Sequence, residues 1–249
     1  MGTFMQNWID GPMTPIAIGS ALGGSVDGLL TEYAILDEDG LFSTPSHLSD
    51  TEAATLTCAA VTAWHILVEV SGVKAGDTVL LLGTGGVSIF ALQFAQMLGA
   101  RVIHTSSSNE KRACLTELGA WQTINYADTP EWQDKVMDIS EGRGVDHVVE
   151  VGGPGTMERS ITSTRIAGTI GVIGTLPQGS VNPMSFMRKG LHVRGIYVGH
   201  RNMFEDMNRA IAQHELRPVI DRTFAIEDAR DAFHYMTTGH HFGIIVISF

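Results

Sequence analysis

Six consecutive residues, Gly83-Thr84-Gly85-Gly86-Val87-Ser88, carry the spacing with the clearest chemical use in this chain. A glycine at Gly83 permits a tight turn, and one at Gly85 leaves no side chain between backbone and an approaching group. Gly86 and Val87 then open an apolar-periodic segment, Val87, Phe90, Ala91, Phe94 and Leu98, that reads as a helix ending at Gly99. Free N–H groups and the positive dipole end of a helix start attract an anion. The chemistry suggested is a cradle for a diphosphate. Ser88 is small enough to let helix and preceding strand pack closely.

About 20 residues further on, a fold of this kind places the group that reads a ribose 2′-position. Here that stretch is Ser106-Ser107-Ser108-Asn109-Glu110-Lys111. A carboxylate at its tip would bond a free 2′-hydroxyl; Ser106, Ser107 and the cation of Lys111 suit a 2′-phosphate instead. Other reactive residues give weaker patterns. The two cysteines, Cys58 and Cys114, make neither a disulfide scaffold nor a four-cysteine zinc lobe. His65 lies in an apolar stretch and reads as a core histidine, whereas His200 and Arg201 follow a strand and could reach a cleft. No nucleophile elbow, Walker loop or His-Glu-x-x-His occurs.

A glycine pattern alone is often an ordinary turn, so the surrounding elements decide. Runs rich in Val, Ile and Leu begin at Thr78, Arg101, Thr123, Asp146, Thr169 and Val193. They recur about every 23 residues, room for one strand, one helix and two loops. Such repetition implies right-handed crossovers and a parallel sheet covered on both faces. The expected fold is α/β, a doubly wound six-stranded parallel Rossmann sheet. Its glycine turn joins the first strand to the first helix, the context that gives the pattern meaning.

The boundaries expected are 1–48, a Gly/Pro/Asp-rich tail of another β-rich domain that includes a strand-like Leu29–Leu36; 49–203, the sheet domain; and 204–249, two amphipathic helices and a last strand at 243–249. Ser49 and Glu52 have capping-box spacing ahead of the apolar Ala53–Val70. Asn109 is placed to cap one helix and Thr129-Pro130 to start another. A net charge of −11 argues against nucleic acid. No apolar run is long enough for a membrane span, and the start lacks a secretory pattern, so the expectation is a cytoplasmic protein with no membrane partner.

The residues also match a known family over nearly the whole chain. The markers are Ser49–Ala54, Ala59–Trp64, Val73–Val79, Gly83–Val87, Leu118–Ala120, Ile124–Tyr126, Gly144–Asp146, Asn182-Pro183 and His241–Gly243. With them the chain resembles the medium-chain dehydrogenase/reductase superfamily, and within it the zinc-independent, quinone-oxidoreductase-like alcohol dehydrogenases. The resemblance implies that residues 1–48 are a remnant of a GroES-like catalytic domain whose N-terminal part is lacking. It implies a nicotinamide-side role for Thr62, NADP-phosphate contacts by Lys111 and Tyr126, and backbone facing the nicotinamide at Gly174 and Val198. Cys58 falls where zinc-dependent relatives hold a ligand; without partners it is expected to be a small buried residue, and no metal is expected. Ile244 stands where the family often has Lys or Arg.

The expected function is an NADP(H)-dependent oxidoreductase, NADP(H) preferred over NAD(H), moving a hydride between nicotinamide and a carbonyl, enone/quinone or alcohol. Its partners would be a small-molecule substrate and a second copy in a homo-oligomer. Thr62 is the one catalytic candidate. The alternative is a truncated dinucleotide-binding or self-associating module with little turnover. A short-chain dehydrogenase is disfavoured, because no tyrosine has a lysine four residues on.

Overall fold

The computed structural model describes residues 1–174 and 179–249. They form two compact units, residues 1–65 with 198–249, and residues 66–197. These limits differ from the expected 48/49 and 203/204 boundaries. Residues 50–65 group with the first unit, where the turn of helix at Val61–Trp64 packs on the helix Arg201–Gln213, and residues 66–70 group with the second.

In the first unit a short helix α1 spans Pro15–Ile18. The expected strand at Leu29–Leu36 does not form. In place of strands, residues 1–45 hold isolated bridges, Gly2 to Leu41, Met5 to Ala21 and Leu22 to Val26. Tyr33 and Ile35 are 89% and 102% exposed, so the alternating apolar side chains have no surface to bury against. Helix α2, Asp50–Ala54, starts at the predicted capping box: the Glu52 amide donates to Ser49 Oγ at 3.2 Å, and the Ser49 amide to the Glu52 carboxylate at 2.8 Å. The apolar stretch that follows is broken into a π-type turn Leu56–Ala60, helix α3 at Val61–Trp64, and a second π-type turn His65–Val70.

The second unit is the sheet. Its strands are β1 Thr78–Leu82, β2 Arg101–Ser106, β3 Gln122–Asn125, β4 Val145–Glu150, β5 Thr164–Val172 and β6 His192–Gly195. Between them run α4 Gly86–Met97, α5 Asn109–Glu117, α6 Trp132–Ile139, α7 Pro154–Ser163 and α8 Pro183–Lys189. All strands are parallel, in the order β3-β2-β1-β4-β5-β6, and the order reverses direction at β1 and β4. The doubly wound expectation holds. β1 and β4 are buried along their whole length between two helical layers, β1 as an unbroken apolar run after Thr78 and β4 with Asp146, His147 and Glu150 among its buried residues. Leu80, Ile103, Val148 and Ile170 pack in one cluster with Trp132 and Val136 of α6.

Several local details differ from the expectation. β5 starts at Thr164 instead of Thr169, pairing first with Val145 before the register shifts ahead of His147. β6 spans His192–Gly195, starting one residue ahead of the expected Val193, and Val198, beyond it, has φ +43°. Ser108, not Asn109, caps α5, its Oγ accepting the Lys111 amide at 3.2 Å. Asn109 Oδ1 instead accepts from Asn125 Nδ2 at 3.0 Å. Thr129-Pro130 lies in a turn, with the Thr129 amide donating to Asn125 O, and α6 begins only at Trp132.

Back in the first unit, α9 spans Arg201–Gln213, β7 Ile220–Ala225, α10 Ala229–Thr237 and β8 Ile244–Ser248. β7 pairs in parallel with β8. β7 is not expected from the sequence, because its Asp221-Arg222-Thr223 breaks the apolar pattern. Among the described residues no helix is long and apolar enough to cross a membrane.

Candidate functional site

The glycine turn leaves β1 at its carboxyl end, at the point where the strand order reverses, which is where open α/β sheets bind ligands. Gly83 has φ +68°, a conformation that calls for glycine. β2 holds it from two sides: the Gly83 amide donates to the Thr105 carbonyl at 3.0 Å, and His104 Nε2 bonds the Gly83 carbonyl at 2.5 Å. Ser88 Oγ donates to the Leu82 carbonyl at 2.6 Å, tying the first turn of α4 to the strand. The third small position therefore works through its hydroxyl as well as its size.

Gly85 is the N-cap of α4, at φ −79° and ψ 175°, and no side chain caps this helix. The Ile89 amide donates to Gly85 O, the first bond of the helical ladder, so the amides of Gly86, Val87 and Ser88 have no helical acceptor. A Cβ built on Gly83 or Gly85 would meet no heavy atom within 4 Å. The cradle is open, uncapped and lined by backbone donors, a fit for a diphosphate.

Beside it a cavity of about 270 Å³ opens at the carboxyl ends of β1, β2 and β4, with Leu82, Thr105, Tyr126, Trp132, Val151 and Thr156 in its wall. Tyr126 is 41% exposed there, and its amide donates to Ser106 O at 3.0 Å. A larger cavity of about 650 Å³ lies in the first unit along α9. Its arginines, Arg201 and Arg209, are already paired with Glu205 and Asp206.

At the tip of β2 the serines divide. Ser106 is buried, and its Oγ accepts the Ser108 amide at 3.3 Å, which leaves its O–H as a donor. Ser107 is exposed. Lys111 is half-buried in the first turn of α5. The neighbouring Arg112 is committed to β3, with Nε on Thr123 Oγ1 at 3.2 Å and Nη2 on Thr123 O at 3.1 Å.

A further residue was missed in the sequence. Glu150, at the end of β4, is fully buried. Its Oε1 accepts the Gly152 amide at 2.7 Å, the Gly153 amide at 3.0 Å and Thr156 Oγ1 at 2.6 Å, and its Oε2 accepts from Ser160 Oγ. This carboxylate shapes the β4–α7 loop that forms one wall of the cavity. An acid closing an apolar strand run ahead of Gly152-Gly153 was its only signal. Gly174, after β5, donates its amide to Glu150 O at 3.1 Å, and a Cβ there would lie 2.4 Å from Val151 O.

Thr62 and Val198 belong to the first unit. Thr62 is buried, and its Oγ1 donates to the Cys58 carbonyl at 2.5 Å. The Val198 carbonyl bonds His65 Nδ1 at 2.7 Å, which makes His65 a satisfied core histidine. His200 caps α9, its Nδ1 accepting the Met203 amide at 3.1 Å, with Nε2 3.4 Å from Asp10. Cys58, expected to be buried, is exposed. Among the described residues no three His, Cys, Asp or Glu side chains gather. A four-coordinate zinc needs such a set, so the residues around Cys58 do not fit one.

The family model described as zinc-binding dehydrogenase matches residues 86–213. A zinc-type alcohol dehydrogenase-like protein of Schizosaccharomyces pombe is 41% identical, over 98% of this chain and 73% of its own length. Among solved structures, a protein of Sinorhizobium meliloti 1021, whose alcohol dehydrogenase name is itself an assignment, superposes with a TM-score of 0.93. It is 38% identical over 100% of this chain and 74% of its own. A structure named an NAD-dependent alcohol dehydrogenase gives a TM-score of 0.86 at 31% identity, over 92% of this chain and 67% of that one. The glycine cradle at the reversal of a six-stranded parallel sheet and these likenesses agree: the chain belongs to the zinc-binding dehydrogenase family of the medium-chain dehydrogenase/reductase superfamily, nicotinamide-dependent oxidoreductases.

Proposed function

We propose that residues 66–197 bind NADP(H) in preference to NAD(H), with the diphosphate on the Gly83–Ser88 turn, in a homo-oligomeric enzyme acting on a carbonyl, enone/quinone or alcohol. The observation that carries this reading is the uncapped start of α4 behind an open glycine turn. When bound, the nicotinamide supplies or accepts a hydride. The chain's own part is to hold it. Amides at the α4 start neutralise diphosphate charge, and the apolar cavity beside Tyr126 and Trp132 suits a flat base. Exposed Ser107 and the Lys111 cation suit a 2′-phosphate, and no acid side chain ends β2. The 31%-identical structure is named for NAD, so resemblance alone does not choose the coenzyme; the NADP(H) reading is supported by the residues at the strand tip. Thr62 Oγ1 already gives its proton to Cys58 O, so donation to a developing oxyanion requires that hydroxyl to turn.

Fluorescence titration with both coenzymes tests the preference. One charge-assisted contact is worth about 1.5–3 kcal/mol, so NADPH is expected to bind roughly tenfold to a hundredfold more tightly. Equal affinity, or tighter NADH, overturns it. The chain spans 73% of its fission-yeast relative, and turnover is a separate question from binding. NADPH oxidation with a panel of quinones and aldehydes distinguishes an enzyme from a binding module.

A further inference from the structure

We propose that His104 is a positioning residue for the phosphate cradle: by donating Nε2–H to the Gly83 carbonyl, it fixes the plane of the Gly83–Thr84 peptide and so aims the Thr84 amide. The proposal rests on the dinucleotide reading of the turn and names one side chain that makes the turn competent. His104 lies in the middle of β2, opposite Leu81 of β1, and is completely buried. Its Nε2 is 2.5 Å from Gly83 O. A carbonyl only accepts, so Nε2 carries the proton and Nδ1 is bare. Nδ1 is buried and has no partner.

An imidazole is a poor filler for such a place. Leaving a ring nitrogen unsatisfied in the core costs free energy that leucine would avoid. What the ring gains is the bond to Gly83 O. The peptide is planar and trans, so its carbonyl and the following N–H point in opposite directions. Anchoring Gly83 O on the β2 side therefore directs the Thr84 N–H away from β2. The Gly83 amide is held separately by Thr105 O. Together the two bonds leave the left-handed Gly83 little freedom. Burial lowers the His104 pKa to about 4, so the ring is neutral in ordinary buffers and keeps the donor role.

The experiment separates diphosphate from nucleoside recognition. His104→Leu, which fills the space without a donor, is titrated with ADP-ribose, which carries the diphosphate, and with adenosine 2′-monophosphate, which does not. ADP-ribose affinity is expected to fall about tenfold, the loss of one well-aimed hydrogen bond to an anion. Adenosine 2′-monophosphate is expected to stay within about twofold, and His104→Gln, which keeps an N–H donor, to recover part of the loss. Unchanged ADP-ribose binding, or an equal fall for both ligands, overturns the proposal. Gly85→Val that still binds ADP-ribose defeats the reading of the turn, and the His104 proposal with it. Defeat of the proposal alone leaves Gly85→Val inactive in binding. A measurement on the wild-type chain needs no variant: imidazole ¹⁵N shifts must show Nε2–H with bare Nδ1 at neutral pH, and the opposite tautomer refutes the assignment.

Discussion

Gly85→Val separates the cradle from the fold. Gly85 sits at φ −79° and ψ 175°, an extended conformation that β-branched residues adopt readily. Its missing Cβ faces no protein atom within 4 Å. The folded chain can therefore take valine with a stability change within about 0.5 kcal/mol. A bound diphosphate cannot, because the isopropyl group would stand in front of the α4 amides. Each charge-assisted bond to an anion is worth about 1.5–3 kcal/mol, so losing two costs about 3–6 kcal/mol. That is roughly a hundredfold to ten-thousandfold in affinity. Gly83→Val is the contrast: at φ +68° it strains the backbone whatever the space, and thermal stability is expected to fall with binding. Calorimetric titration with NADPH beside thermal melting reads both quantities. A Gly85→Val protein that melts like wild type and binds NADPH within about threefold, under 1 kcal/mol, refutes the argument.

Acid should destabilise the chain in two windows. His104 titrates near 4 when folded against an ordinary 6.5, so the unfolded chain takes the proton first as pH falls. Stability then drops by about 1.4 kcal/mol per pH unit across that interval, about 3 kcal/mol in all, and His104→Leu should flatten this slope in denaturant titrations; an unchanged slope counts against it. Burial alone would raise the Asp146 pKa, but Arg143, the Thr78 amide and Arg165 hold it well below its ordinary 3.8, so its contribution is lost only below that value. Glu150→Ala strands four donors in the β4–α7 loop and should cost about 3 kcal/mol or more by chemical denaturation; a cost under about 1 kcal/mol would show that the loop re-forms its bonds elsewhere. Protein purified without added metal should hold no stoichiometric zinc by elemental analysis, and one zinc per chain would reveal ligands beyond Cys58.

What the sequence determined by itself is what periodicity and backbone chemistry encode locally. Continuous apolar runs at regular spacing require strands covered on both faces, so the sheet, its parallel sense and the glycine turn were legible. So was the capping box at Ser49 and Glu52, which lies within one helical turn. The tertiary structure decided whatever depends on partners distant in the chain. Tyr33 and Ile35 alternate like strand residues yet meet no surface, so no strand forms. β7 has a polar middle and exists because β8 pairs with it. Ser106, at the end of an apolar strand run, is buried with its Oγ accepting the Ser108 amide, a contact that only the folded loop makes. Glu150 and His104 read as one residue among many in apolar strands. Only folding sets the carboxylate under the Gly152 and Gly153 amides and the imidazole against Gly83 O, since a buried polar group takes its meaning from the partner that satisfies it.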